Sequence, residues 1–382
     1  MMYPTVYLDN AASTFPKPRA VRRAVQRQLA RNTSNPGRSG HFLSRLAAEA
    51  LYESREEIAA FFGCEAENVI FTQNATHALN LLLCGILRPG DHAVISDMEH
   101  NAVLRPLVRL AETAGITFDI ADTDGGRCDR PEERFACKIR RNTRLLVCTH
   151  ASNVTGRIFN PVPLAGLAHE NGALFCLDAS QTAGFLPISM KRDGIDAVCT
   201  SGHKGLLGIQ GSGLLLLRRD FGVLPLTVGG NGVQSLEEHQ EGPLPERLEA
   251  GTLSSPAIVS MAEGIRFLKR HPERLRREES LHRNLLSRLQ SLPFVTLYSG
   301  TELHVPTVAF SLAGIPSEEV TERLSDRGIC VRGGWHCSRL AHRALHTEEE
   351  GLVRASLSPL SGAHDAERIA EELENLYKNK IF

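Results

Sequence analysis

Two neighbouring stretches, Leu174-Phe175-Cys176-Leu177-Asp178-Ala179-Ser180-Gln181 and Ala197-Val198-Cys199-Thr200-Ser201-Gly202-His203-Lys204-Gly205, share one design. Each opens with a short apolar run and ends in polar residues able to do chemistry. An apolar run of four or five residues without alternation reads as a strand buried on both faces. Working outward, Val69–Thr72, Ala93–Ser96, Thr117–Ile120, Leu145–Thr149 and Gly213–Leu217 have the same character. Helical patterns separate them at Ser44–Phe62, Ala75–Leu87, Ala102–Ala114 and Val162–Asn171. This alternation predicts an α/β fold whose mostly parallel, seven-stranded sheet is sandwiched by helices. Ligands of such sheets gather beyond the carboxyl ends of the strands. Asn74–Thr76, His100, Asn153, Asp178 and Lys204 all fall just there.

After Leu253-Ser254-Ser255-Pro256 the pattern changes. A long helical stretch, Ala257–Leu292, is interrupted near His271-Pro272. Strands follow at Thr307–Leu312 and Ile329–Arg332, with helices at Ser317–Arg327 and Asp365–Lys378. At 382 residues the chain is longer than one hydrophobic core usually organises. The expectation is a large domain over 16–255 and a smaller α+β domain over 256–382, joined by the N-terminal segment 1–15.

Composition narrows the function classes. A formal charge of −1 gives no electrostatic reason to expect nucleic acid or an anionic membrane surface as a partner. No apolar run is long enough to span a bilayer, and the start MMYPTVYLDNAAST lacks a basic stretch followed by an apolar one. The expected location is the cytoplasm. The nine cysteines are odd in number, scattered and free of any C-x-x-C pair, so neither a disulfide framework nor a zinc site is expected, and no metal.

Lys204, set among glycine, serine and histidine, suits a Schiff base to pyridoxal phosphate, and Asp178 suits the pyridinium nitrogen of that cofactor. Gln181 is placed to reach the phenolate oxygen, and His100 to stack on the ring. Asn74-Ala75-Thr76 opens a helix, whose free amides and Thr76 hydroxyl suit a phosphate. Ser201 and His203 add donors for the same anion. Each residue has a commoner role by itself: a surface lysine, a helix-capping Asp or Thr, a loop histidine. Their combination in this order, each at the end of a predicted strand, is what points to the cofactor.

That combination resembles the cysteine desulfurases among the class V, fold-type I pyridoxal-phosphate enzymes. The likeness runs from Tyr7-Leu8-Asp9-Asn10-Ala11-Ala12-Ser13-Thr14 through Asn153, Asp178-Ala179-Ser180-Gln181 and Ser201-Gly202-His203-Lys204. It closes at Leu248-Glu249-Ala250-Gly251-Thr252, Arg332-Gly333-Gly334-Trp335-His336-Cys337 and Val353-Arg354-Ala355-Ser356-Leu357. The resemblance implies that Ala75, Thr76, Asn153, Ser201, His203 and Thr252 contact the cofactor, Thr252 across a homodimer interface. It implies that Ala11, Asn153, Arg332 and Arg354 hold the substrate, L-cysteine or L-selenocysteine. Lys204, His100 and Cys337 are the implied catalytic residues, with Cys337 receiving sulfur as a persulfide for a sulfur-acceptor protein.

The segment 332–337 resembles the cysteine loop of group II desulfurases. Arg332, His336 and the Gly333-Gly334 pair are a setting that favours a thiolate, whereas Cys330 sits inside an apolar run as a structural cysteine would. The chain departs from those relatives at four places. Trp335 stands for a frequent histidine, Ser338 for alanine, Ala75 for threonine and His77 for glutamate. His342 reads equally as a loop contact or as a surface histidine. Three other readings remain open: a selenocysteine lyase, a class V aminotransferase or lyase on another amino acid, and a non-catalytic scaffold.

Overall fold

The computed structural model describes residues 5–36, 40–230, 232, 236–300 and 303–381. Residues 1–4 of the N-terminal segment, and 301, 302 and 382 of the expected smaller domain, lie outside them. The chain opens with β1 (Val6–Tyr7), α1 (Arg19–Arg31) and α2 (Phe42–Phe62), and then alternates. β2 (Val69–Thr72), α3 (Ala75–Ile86), β3 (His92–Ser96), α4 (Asn101–Ala114), β4 (Thr117–Ala121) and α5 (Pro131–Ala136) come first. β5 (Thr143–Thr149), α6 (Pro161–Glu170), β6 (Leu174–Asp178), α7 (Met190–Asp193), β7 (Ala197–Ser201) and β8 (Gly213–Leu217) complete this part.

These strands form one seven-stranded sheet in the order β2-β8-β7-β6-β5-β3-β4. Only β8 runs antiparallel to its neighbours, as the expected mostly parallel sheet requires. Strands β3, β5, β6, β7 and β8 are buried along nearly their whole length, the physical reason for their unbroken apolar runs. The right-handed logic of strand–helix–strand connections brings the ends of β2, β3, β5, β6 and β7 to one edge. Gly213 marks a close backbone approach there: a Cβ on it would lie 2.5 Å from Cα of Asn74, at the start of α3.

The remaining elements are α8 (Ser255–Arg270), α9 (Arg274–Gln290), β9 (Val295–Leu297), β10 (Thr307–Leu312) and α10 (Ser317–Asp326). Then come β11 (Ile329–Cys330), α11 (Arg339–Ala344), β12 (Val353–Ser356) and α12 (Asp365–Ile381). β12, β10 and β9 form an antiparallel sheet, and β1 pairs with β11. One apolar cluster joins Val6 and Leu8 to Leu285, Val308, Phe310, Val353 and Ile369. α8, which the expected boundary assigns to the smaller unit, packs on α1 and α2 instead. Its Ile258, Met261 and Ile265 enter the core beneath the large sheet. The apolar stripe of α8 matches the helices at its N-terminal side, and the chain passes to the second sheet only beyond Arg270.

Gly213→Ala is expected to cost about 2 kcal/mol or more, because the new methyl meets backbone rather than a movable side chain. A denaturant midpoint close to that of the unsubstituted protein would contradict this packing.

Candidate active site

The carboxyl edge of the large sheet encloses a cavity of about 220 Å³. Ala75, Thr76, His100, Asn153, Asp178, Gln181, Ser201, His203 and Lys204 line it together, joined by Asn74, Ala102, Thr149 and Ser180. Nine of the residues singled out from the sequence thus meet in one place, although they span 130 positions. Asn74 caps α3, its Oδ1 accepting from the amide of His77 at 2.9 Å. The amide of Ala75 donates to Oγ of Ser201 at 3.1 Å, tying the helix start to the end of β7.

Lys204 lies deep in this cavity. Desolvation lowers its amine to about 8, Asp178 opposing the shift while Arg354 and Arg332 reinforce it. Asp178 ends β6 and accepts from the amide and hydroxyl of Ser180. His100 is the cap of α4, and its Nδ1 accepts from the amide of Ala102 at 3.0 Å. Burial, with Lys204 second, lowers His100 to about 4, so its ring is neutral at physiological pH. His203 is lowered to about 4 by burial and the charges of Lys204 and Lys17, and its Nδ1 is buried without a partner.

These features fit the expected cofactor. Thr76, Ser201 and His203 supply donors beside the N-terminus of α3, and a buried imidazole nitrogen lacks the partner that buried polar atoms normally find. Asp178 supplies the acid and Lys204 an amine near neutrality. Gln181 lines the cavity and donates to the carbonyl of Ala11 at 3.1 Å, which brings the N-terminal segment to its rim. Thr252 is exposed and lies elsewhere, lining a pocket with Gln73 and His77.

Arg354 is 1% exposed and donates to the carbonyl of Asn153 at 2.8 Å and to Asp9 at 2.9 Å. Arg332 and Arg354 exchange backbone hydrogen bonds, which aligns the two arginines side by side. Nη2 of Arg332 donates to Sγ of Cys337 at 3.6 Å. Cys337 is exposed. It and His336 both adopt left-handed backbone, with φ of 59° and 50°. Two consecutive non-glycine residues there carry strain of about 1–3 kcal/mol each. A dense network holds the turn. The amide of Asn101 donates to the carbonyl of Cys337 at 2.8 Å, and the side-chain amide of Asn153 to that of His336 at 2.8 Å.

Ser338, one of the departures from the expected pattern, donates its hydroxyl to Oδ1 of Asn153 at 2.6 Å. Trp335, another, is 46% exposed and donates Nε1 to the carbonyl of Glu348 at 2.7 Å. His342 is not a surface histidine. It is fully buried, with Nδ1 2.8 Å from the hydroxyl of Thr347 and its ring 5.7 Å from that of His336. The apolar neighbours Leu340 and Ala341 are buried with it, so the first turn of α11 carries it inward.

Sequence reasoning missed Glu99, which backs this site through Thr149. It is wholly buried, accepts from the hydroxyl of Ser96 and the amide of Thr149, and is raised to about 8 by burial. Its only signal was its place beside His100 at a strand end. Among the described residues no cluster of side chains could hold a metal ion.

The family model for aminotransferase class-V matches residues 6–369, and the chain belongs to that family. It is 31% identical over 387 residues to a probable cysteine desulfurase of Methanothermobacter thermautotrophicus, covering 97% of this chain and 94% of that protein. It is 33% identical over 397 residues to a probable cysteine desulfurase of Aeropyrum pernix, covering 97% and 94%. The apo cysteine desulfurase of Thermococcus onnurineus superposes with a TM-score of 0.91 at 30% identity, over 99% of each chain. A cysteine desulfurase of Escherichia coli, 23% identical with a TM-score of 0.88 over 98% of this chain and 96% of that one, shares the fold.

The lowered amine has a checkable consequence in the cofactor-free protein. The folded value of about 8 lies below the ordinary 10.5, so the native state holds fewer protons between these limits. Lys204 therefore penalises folding below pH 8, and the penalty fades as the pH rises through that window. Trinitrophenylation mapped by peptide should show Lys204 half-reactive near pH 8; half-reaction near 10.5 would contradict the desolvated site.

Proposed function

We propose that this chain is a pyridoxal-phosphate-dependent cysteine desulfurase that converts L-cysteine to L-alanine and holds the sulfur on Cys337 as a persulfide. The observation that carries this reading is the exposed Cys337 thiol, paired with Arg332, on a strained turn hydrogen-bonded to Asn153 of the Lys204 cavity. Bound pyridoxal phosphate supplies an electron sink for negative charge at the substrate α-carbon. Lys204 would hold the cofactor, and its amine, once free, would take the α-proton. Asp178 would keep the ring nitrogen protonated, with neutral His100 beside it in the same cavity. Gln181 would serve the phenolate, while Ala75, Thr76, Ser201 and His203 would hold the phosphate.

Asn153 and Arg354 orient the substrate carboxylate, with Ala11 and Arg332 at the rim. The guanidinium of Arg354 is locked by Asp9, so little is lost in ordering it. The Cys337 thiolate attacks the substrate sulfur. One S–S bond forms as the C–S bond breaks, and the hydrogens of the two thiols are shared between alanine and the persulfide. The reaction needs no external oxidant.

A homodimer completes this reading. Leu29, Phe42, Leu43, Leu46 and Tyr52 are exposed on α1 and α2, a larger apolar surface than single scattered residues make. Thr252, exposed beside His77, would serve the cofactor of the second copy. All nine cysteines are unpaired, which suits the reducing cytoplasm. No helix among the described residues is long and apolar enough to cross a membrane. The short, tied Cys337 turn cannot carry sulfur far, so an acceptor protein must dock at it.

Two measurements test the proposal. Alanine release from L-cysteine under a reductant should fall at least about a hundredfold in Cys337→Ala, with the visible absorption of the cofactor retained. Equal release from both proteins would overturn it, and a variant active only on L-selenocysteine would identify a selenocysteine lyase. Arg354→Lys should raise KM for L-cysteine roughly tenfold or more, since an ammonium cannot reproduce the forked donor.

A further inference from the structure

A second cavity, of about 420 Å³, lies away from the Lys204 site, and nothing in the reaction uses it. Its polar wall is Arg127, Arg157, His304 and the glycine pair Gly125-Gly126; Tyr298 and Leu345 supply apolar surface. No acidic side chain lines it among the described residues. Arg127 is satisfied at the surface, pairing with Asp124 at 2.7 Å. Arg157 is different: its Nε is buried and has no hydrogen-bond partner. A buried N–H without an acceptor is uncommon in native proteins, and it leaves this guanidinium short of a partner at the cavity wall.

The surroundings hold Arg157 in this position. Gly126 has φ of 83°, and a Cβ on it would meet Cγ of Arg157 at 3.0 Å, so the glycine lets the arginine stem lie against the loop. The backbone of Arg157 bridges that of His304. His304 is itself oriented, its Nε2 accepting from the amide of Gly300 at 3.2 Å.

We propose that this cavity binds a small organic anion, a carboxylate or phosphate ester with an apolar body. The anionic group meets Arg157 and Arg127, and the body lies along Tyr298 and Leu345. A cavity of this size with a few convergent donors and apolar walls has the form of a ligand site, and a guanidinium fork is suited to such anions. The site also adjoins the catalytic machinery by chain connection. Arg157 and Asn153 belong to one tight loop, closed by the amide of Gly156 donating to the carbonyl of Ser152 at 2.9 Å. Leu345 follows α11, which begins two residues after Cys337. An anion here bears on both the loop that holds Asn153 and the helix behind Cys337.

The test is calorimetric titration of the protein saturated with pyridoxal phosphate, using phenyl phosphate and, separately, benzoate. At least one should bind saturably, one per chain, with Kd of about 1 mM or tighter, and without altering the visible absorption of the cofactor. The probe that binds decides between phosphate ester and carboxylate. Arg157→Met should weaken that binding roughly tenfold. Arg127→Gln, a surface change that leaves folding intact, should weaken it about threefold and decides the matter if Arg157→Met does not fold. Absence of saturable binding by both probes, binding that shifts the cofactor absorption, or affinity indifferent to the arginines would overturn the proposal.

Discussion

Burial of charge at the carboxyl edge of the large sheet is the constraint on which this structure rests. Asp178 and Arg354 are withdrawn from water there, burial keeps the Glu99 carboxyl beside them protonated near neutral pH, and the Lys204 amine shares the same desolvated cavity. An isolated buried charge costs as much as a whole domain gains by folding. Each group therefore has a compensating neighbour. Ser180 holds Asp178, Ser96 and Thr149 hold Glu99, and Asp9 with the Asn153 carbonyl holds Arg354. Compensation is left incomplete at Lys204, which is what makes its amine chemically useful.

The Cys337 turn follows a related logic with backbone instead of charge. Left-handed conformation at His336 and Cys337 is unfavourable, and it persists because three other segments hold it. Asn101 of α4, Asn153 after β5 and Leu352 each bond to the turn or its side chains, Ser338 within the turn adding a second bond to Asn153. Two of these, Asn101 and Asn153, also adjoin the Lys204 cavity. The thiol is thus positioned by the same residues that shape the cavity, although it belongs to a different sheet layer.

Much of the seven-stranded sheet was legible in advance because doubly covered strands must be apolar throughout. All seven strands appeared within two residues of their expected bounds. The short elements β1, β9 and β12 were harder, since strands of two to four residues have no periodicity of their own. α8 was assigned across a boundary because sequence shows that a helix has an apolar face but not what that face meets. His342 was ambiguous for the same reason: one histidine in a six-residue helix gives no sign of which side faces the core. Glu99 was overlooked because a glutamate beside a loop histidine ordinarily points to solvent.

The sequence by itself determined the order of strands and helices, the residues at the strand ends and the resemblance that named their chemistry. These follow from local rules: apolar runs demand burial, and polar residues interrupt them where the chain turns. Only the tertiary structure decided that nine of those residues share one cavity, that Lys204 is desolvated, and that Cys337 stands on a strained turn beside Arg332. It also revealed the unpartnered Arg157 in its own cavity. Burial, pairing and strain are sums over neighbours distant in the chain, and no local pattern contains them.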